Sequence, residues 1–340
     1  MAKIITFGEI MMRLQPPDYK RFAQARQFDI EYGGGEANVA ISLAEFGDDV
    51  AFATRLPNNP IGDACLNEIR RYGVDTSAIV RGGDRLGIYF CEKGAAMRAS
   101  KVVYDRANSA IATATVGDFD WSTIFAGAQW FHFTGITPAL GDDATALALE
   151  AAQAAKQMGL TVSCDLNFRK NLWSSAKAGQ VMSTLMPYVD IAIGNEEDAE
   201  NVFGIKAHGT DVTSGTLQLD GYQEVAKQLA ARFGFKKVAI TLRESHSASD
   251  NGWSGLLYDG EQFYSSAKYN IHIVDRVGGG DSFCAGLIHG FINGFSNQDA
   301  ISFAAAASAL KHTIEGDFNI VSVAEVQALM GGDASGRVQR

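Results

Sequence analysis

Apolar and polar positions along this chain follow two alternating periods. Short, nearly continuous apolar runs read as buried strands: IITFGEI, VAFATRL, WFHFTGI, LTVSCDLNF, DIAIGN and KKVAITLR. Between them lie segments with apolar residues at helical spacing: EANVAISLAEFG, IGDACLNEIRRYG, ATALALEAAQAAKQMG and GYQEVAKQLAARFG. Each of these closes on a glycine suited to end a helix. Two more helices are predicted at roughly 281–294 and 298–314. Strands buried on both faces and alternating with helices indicate an α/β fold, with a mostly parallel central sheet flanked by helices on both faces. Ligands of such sheets bind beyond the carboxyl ends of the strands.

Two stretches break this rhythm. Residues 11–33 contain Pro16 and Pro17 and show no helical period, and residues 84–112 read as two strands joined by a Gly/Ala/Ser turn. Together they predict a small β-sheet lid built from discontinuous pieces. The main domain is then 1–10, 34–83 and 113–330, with 331–340 as a tail. A length of 340 residues suits one large domain with such an appendage.

Composition adds exclusions. Lys and Arg number 29 against 39 Asp and Glu, a net charge of -10. That balance argues against nucleic acid or an anionic membrane as partner, while a local basic pocket still suits a small anion. Cys65, Cys91, Cys164 and Cys284 form no C-x-x-C pair and read as buried, reduced thiols. The first residues read as a strand, not a secretory leader, and no apolar run is long enough for a bilayer, so a cytoplasmic protein is expected. The six histidines lack metal-ligand spacing, and FAAAASAL reads as a close-packed helix.

The candidate chemistry sits in DRVGGGDSFCAG, residues 275–286. Glycines before a helix bare several N–H groups, and the helix start adds positive potential, which together stabilise an anion or the charge of phosphoryl transfer. Asp281 at that entrance can act as a base for a neighbouring hydroxyl. Taken alone, the stretch fits a capped turn equally well. No G-x-x-x-x-G-K-[ST] occurs, and neither glycine cluster has dinucleotide spacing, which makes a dehydrogenase remote.

YGGGEANVAISLAEFG and DRVGGGDSFCAGLIHGF together resemble the paired motifs of the ribokinase-like (PfkB) carbohydrate kinases, and the likeness extends over about residues 3–330. Where that family usually has D-T-x-G-A-G-D, this chain has Arg276 and Gly279. DRLGIYF, KVVYDRANSAIA, DLNFRKNLW and GDFNIVSVAEV are most similar to the branch acting on 2-keto-3-deoxygluconate. The resemblance implies a ribokinase-like fold and ATP- and Mg²⁺-dependent phosphorylation of the 6-hydroxyl of that sugar acid. Asp281 would be the base, and Gly278, Gly279 and Gly280 the anion hole.

A strand period of two puts Tyr104 and Arg106 on one lid face, and an arginine there suits a substrate carboxylate. By resemblance Arg169, Gly34, Tyr89 and Asp317 also reach the substrate. Gly34 as a turn glycine, Tyr89 as a packing aromatic and Asp317 as a turn residue stand as alternatives. For the nucleotide the resemblance implies Asn195, Thr241 and Arg243. Glu197 or Asp198 stands where the family's N-x-x-E motif puts an indirect Mg²⁺ ligand. The stretch TLRESHSAS, 241–249, reads as a loop bordering the nucleotide. The family commonly has a monovalent-cation site, here near Asp275, and exposed lid strands suggest a homodimer. The same motifs also fit a kinase of a neutral sugar such as fructose or ribose, or of a nucleoside. Loss of Asp281 would mark a silent regulatory relative.

Overall fold

A computed structural model describes residues 3–206 and 219–333; residues 334–340 of the expected tail lie outside the described residues. The strands are β1 (Lys3–Phe7), β2 (Met11–Gln15), β3 (Asp29–Gly33), β4 (Asp49–Leu56), β5 (Ile79–Arg81), β6 (Gly87–Glu92), β7 (Lys101–Asp105), β8 (Ala128–Thr134), β9 (Thr161–Asp165), β10 (Ile191–Gly194), β11 (Lys237–Ser245), β12 (Asp250–Tyr258), β13 (Phe263–Ser265) and β14 (Tyr269–His272). The helices are α1 (Gly35–Glu45), α2 (Pro60–Arg71), α3 (Trp121–Ile124), α4 (Asp142–Gln157), α5 (Ser175–Leu185), α6 (Glu196–Phe203), α7 (Leu219–Phe233), α8 (Gly279–Ile292), α9 (Asn297–Lys311) and α10 (Val323–Met330).

The large sheet has the order β13-β12-β11-β10-β9-β8-β1-β4-β5, with β14 beside β12. It is parallel from β5 to β11 and antiparallel from β12 onward. Alternation along β1 explains the layers. Ile5 and Phe7 join a core with α4, α5 and α7, while Ile4 joins the opposite core with α1, α8 and α9. A mostly parallel sheet covered on both faces is therefore what the apolar runs predicted.

The contact between α8 and α9 is unusually close because its residues are small. A Cβ on Gly286 would lie 2.7 Å from Ala304 Cα, and one on Gly290 would lie 2.9 Å from Ala300 Cβ. FAAAASAL is thus a packing stripe, as its sequence suggested. The stretch 241–249 differs from expectation. Residues 241–245 continue β11, which turns back as a hairpin into β12. β12 is not evident from the sequence, because Gly252 and Gly255 interrupt its pattern. A Cβ on Gly255 would sit 2.7 Å from the Phe283 ring, so α8 itself demands that glycine.

A second sheet, β3-β2-β6-β7, is built from the two irregular stretches. Arg13 of β2 fastens it to the rest. Its fully buried guanidinium donates to Asp317 Oδ1 at 2.6 Å, to Asp275 Oδ2 at 2.5 Å and to the Gln15 side chain. Burial penalises this charge, but Asp317 and then Asp275 outweigh the penalty and raise the guanidinium's pKa. Arg13→Met should destabilise the protein by about 3–5 kcal/mol, because two buried carboxylates lose their partner. Denaturant unfolding measures this; a loss under about 1 kcal/mol would mean that the seam is held by other contacts.

Candidate active site

The strand order fixes where a ligand can enter. β4 and β5 lie on one side of β1, and β8 through β13 lie on the other, so the crevice opens where the order reverses. A cavity of about 670 Å³ occupies that place. Glu9 follows β1, Asp165 ends β9, Gly194 ends β10 and Thr241 lies in β11, and all four line it. Tyr89, Val102 and Tyr104 of the small sheet face it from the other side. All fifteen residues singled out from the sequence border this one cavity.

The glycine turn stands at its floor. Gly278 has φ 82°, the left-handed region, and a Cβ there would also overlap the Asp317 carbonyl oxygen. A Cβ on Gly279 would run into the His312 ring, whereas Gly280 faces open space. The N–H groups of Gly280 and Asp281 precede the first intrahelical bond of α8, from Ser282 N to Gly278 O at 2.9 Å. The turn therefore directs helix-start amides toward the cavity.

Asp281 occupies the first turn of α8. Asn38 Nδ2, from α1, donates to its Oδ2 at 2.7 Å. Burial pushes this carboxyl up to about 7; Asn38 and Arg169 oppose the rise, and Asp317 and Glu36 reinforce it. A carboxylate so placed exchanges protons near neutral pH. Gly35 of the other glycine turn borders this carboxyl, since a Cβ there would lie 3.6 Å from Asp281 Oδ1.

The substrate end differs in detail from the sequence reading. Arg106 lies one residue beyond β7, yet its guanidinium stacks over Tyr104, 5.3 Å from the ring centre. It is not a free lid cation. Nε donates to Glu9 Oε2 at 2.8 Å, and Nη2 reaches the same oxygen. Ser109 Oγ holds the other Glu9 oxygen at 2.5 Å. Nη1 is left without a partner among the described residues, so Glu9 holds the guanidinium along one edge only. Tyr89 is buried, and its hydroxyl donates to Asp317 Oδ1 at 2.6 Å. Asp317 thus joins Tyr89 to Arg13 behind the cavity. Gly34 lacks a side chain for an internal reason, because a Cβ would overlap the Glu9 carbonyl oxygen. Arg169 is exposed in the loop after β9, and its Nη1 donates to Phe168 O at 3.2 Å.

At the other end Asn195 caps α6, its Oδ1 accepting from Asp198 N at 2.9 Å. Asp198 is buried, with Oδ2 accepting from Asn195 N at 3.1 Å and Oδ1 from Phe168 N at 2.8 Å. Both its oxygens serve the backbone, whereas Glu197 is exposed at the rim. Asp165 nearby is raised well above the carboxylate range by burial, then by Asp198 and Asp281. Among the described residues no cluster of three or more His, Cys, Asp or Glu forms a metal cage. The donor set fits Mg²⁺ that keeps its waters and is gripped mainly by phosphates, with Glu197 exposed at the rim and the oxygens of Asp165 and Asp198 lining the same wall. Thr241, Arg243, Trp253 and Arg276 line the same end.

Several participants went unread in the sequence. Asn38 stands inside the quoted GGGEAN motif, a polar residue on the buried face of α1, which was its signal. Glu36 holds the turn after β8, its Oε1 accepting from Thr134 N at 2.9 Å and from Thr137 Oγ1 at 2.8 Å. Arg13 and Glu9 gave no local signal, because their partners lie far along the chain.

Comparison with known proteins agrees with this geometry. Residues 1–321 match the pfkB family carbohydrate kinases. The crystal structure of a 2-dehydro-3-deoxygluconokinase from Thermotoga maritima superposes with a TM-score of 0.94 at 52% identity, covering 98% of this chain and 100% of that one. A 2-dehydro-3-deoxygalactonokinase from Haloferax volcanii is 34% identical over 98% of both chains. A 2-dehydro-3-deoxygluconokinase from Bacillus subtilis is 28% identical over 93% of this chain and 91% of its own. Two glycine turns facing one cavity, a carboxylate between them and these matches lead to one conclusion: the chain belongs to the pfkB family of carbohydrate kinases, phosphotransferases with an alcohol group as acceptor.

Proposed function

We propose that the chain phosphorylates the 6-hydroxyl of 2-keto-3-deoxygluconate with ATP, using Asp281 as the base. The observation that carries this reading is the Asp281 carboxyl, pushed up to about 7 beside the bared amides of α8 and facing a wall that holds Arg106 and Tyr104. In the reaction the acceptor O6–H gives its proton to Asp281 as O6 bonds to the γ-phosphorus. The bond from that phosphorus to the β–γ bridging oxygen breaks, and ADP leaves. The Gly278–Asp281 turn stabilises the charge on the moving phosphoryl group. Arg169, Arg243 and Arg276 line the same cavity, where their charge suits the anionic nucleotide. Mg²⁺, when bound, neutralises phosphate charge, with Asp165, Asp198 and Glu197 around it. The substrate carboxylate meets Arg106 Nη1 beside Tyr104. The names of the Thermotoga maritima and Bacillus subtilis relatives support the gluconate-derived acid, and that of the Haloferax volcanii relative supports its galactonate counterpart as a second substrate.

The first test is Mg-ATP-dependent ADP release with 2-keto-3-deoxygluconate, 2-keto-3-deoxygalactonate, gluconate, fructose, ribose and adenosine. The keto-deoxy acids should lead, and a preference for a neutral sugar would discard the account of Arg106. Arg106→Ala should raise KM for the acid about tenfold or more, and for a neutral sugar far less. Asp281→Asn should lower kcat by about a thousandfold while ATP still binds.

The pH behaviour has a definite sign. The base must be ionised, so kcat/KM should rise with pH through a limb near 7. Asn38→Ala removes a hydrogen bond to the ionised form and should move that limb upward. A folded-state pKa raised above the unfolded one costs stability, fully above about pH 7 and not at all below the unfolded carboxylate range. Asp281→Asn should therefore melt higher than the parent above pH 7, with the gap closing on acidification. A limb unmoved by Asn38→Ala would remove Asp281 from the base role.

Two copies pairing through their small sheets complete the reading. β3 and β7 are edge strands that expose Ile30, Val102 and Val103. Light scattering should report a dimer, and a monomer at all concentrations would reject it.

A further inference from the structure

Lys311, the last residue of α9, buries its side chain completely. Among the described residues no carboxylate oxygen lies within ion-pair distance of its Nζ. Instead Nζ donates to three backbone carbonyls: Gly316 O at 2.5 Å, Ile314 O at 3.2 Å and Asp275 O at 3.4 Å. A buried lysine ordinarily pairs with an acid or gives up its proton. Here the geometry asks for the charged form, because a neutral amine has only two N–H donors and would aim a lone pair at the third carbonyl. Three carbonyl dipoles turned on one centre form the kind of shell that replaces the water around a small monovalent cation.

The three carbonyls come from two segments that frame the site. Asp275 opens the turn that ends at Gly278. Ile314 and Gly316 belong to the loop that delivers Asp317. The Asp275 carboxylate reinforces the junction, with Oδ1 accepting from Val277 N at 3.1 Å and Oδ2 from Gly316 N at 3.3 Å. Lys311 also lies directly beneath the glycine turn, since a Cβ on Gly278 would be 3.3 Å from Lys311 Cε.

We propose that Lys311 is a tethered monovalent cation for the phosphoryl-transfer site. Its ammonium fills the carbonyl cage between the Asp275–Gly278 turn and the Asp317 loop, so the reaction needs no free K⁺, Na⁺ or NH₄⁺. This rests on the kinase reading above. Lys311 is absent from the cavity wall and acts as a positioning residue, through the turn whose amides meet the phosphoryl group. A free ion would fill such a cage only above its dissociation constant, whereas a tethered ammonium fills it at every salt concentration.

The test uses the intact enzyme in tetramethylammonium chloride, whose cation is too large for the cage. Adding KCl, NaCl or NH₄Cl should change kcat by less than about twofold; activation by K⁺ above about fivefold would overturn the proposal. Lys311→Ser opens the cage. It should lose about tenfold or more in kcat, with KM for ATP much less affected, and K⁺ or NH₄⁺ should restore part of the loss. A melting arm is independent of activity: K⁺ should raise the Tm of Lys311→Ser and leave the parent's Tm unchanged. If neither kcat nor Tm of the variant responds to K⁺, Lys311 is packing and the proposal falls. An enzyme that releases no ADP with any acceptor would count against the kinase reading, while the melting arm still decides the cage.

Discussion

A positive charge buried in the seam between the two sheets is the constraint on which the other features rest. Arg13 enters from the small sheet and finds Asp275 before the glycine turn and Asp317 after α9. Neither carboxylate is tolerable there without it, and it is not tolerable without them. Lys311 adds a second buried basic side chain to the same knot, its Nζ donating to Gly316 O. The knot joins three distant parts of the chain just below the first turn of α8, so the position of Asp281 follows from ion pairing as much as from helix packing.

The cavity above that knot is electrostatically uneven. Glu36, Asp165, Asp198 and Asp281 are all raised by burial, and Asp165 is raised further by its acidic neighbours. Arg169, exposed at the rim, pulls the last three back down. The same desolvation lifts Asp281 into the range where it can take a proton at neutral pH.

Local features were legible in the sequence, and distant ones were not. The apolar runs gave the parallel sheet, and the two irregular stretches gave the small one, because both depend on neighbours a few residues apart. The fifteen site candidates all border one cavity, and several also make structural bonds that the sequence did not register. Tyr89 and Asp317 bond to each other, Asp198 caps α6 and holds Phe168, and Arg106 leans on Glu9. Each of these bonds except the cap joins residues 30 or more positions apart, which no spacing rule registers. β12 escaped notice because Gly255 answers to Phe283, on a helix that comes later in the chain.

The small-residue contact between α8 and α9 has a further meaning. With Gly286 against Ala304 and Gly290 against Ala300, neither helix has, at these two contacts, a side chain whose rotation could absorb a change. The side of the cavity formed by the first turn of α8 thus has a stiff backing. The other half hangs on a thin sheet whose edge strand β7 is exposed along its length, while Arg13 and Tyr89 anchor its middle strands to Asp317. Anyone redesigning substrate choice should therefore place diversity in β7 and the turn before it, and spare Tyr89 and Arg13.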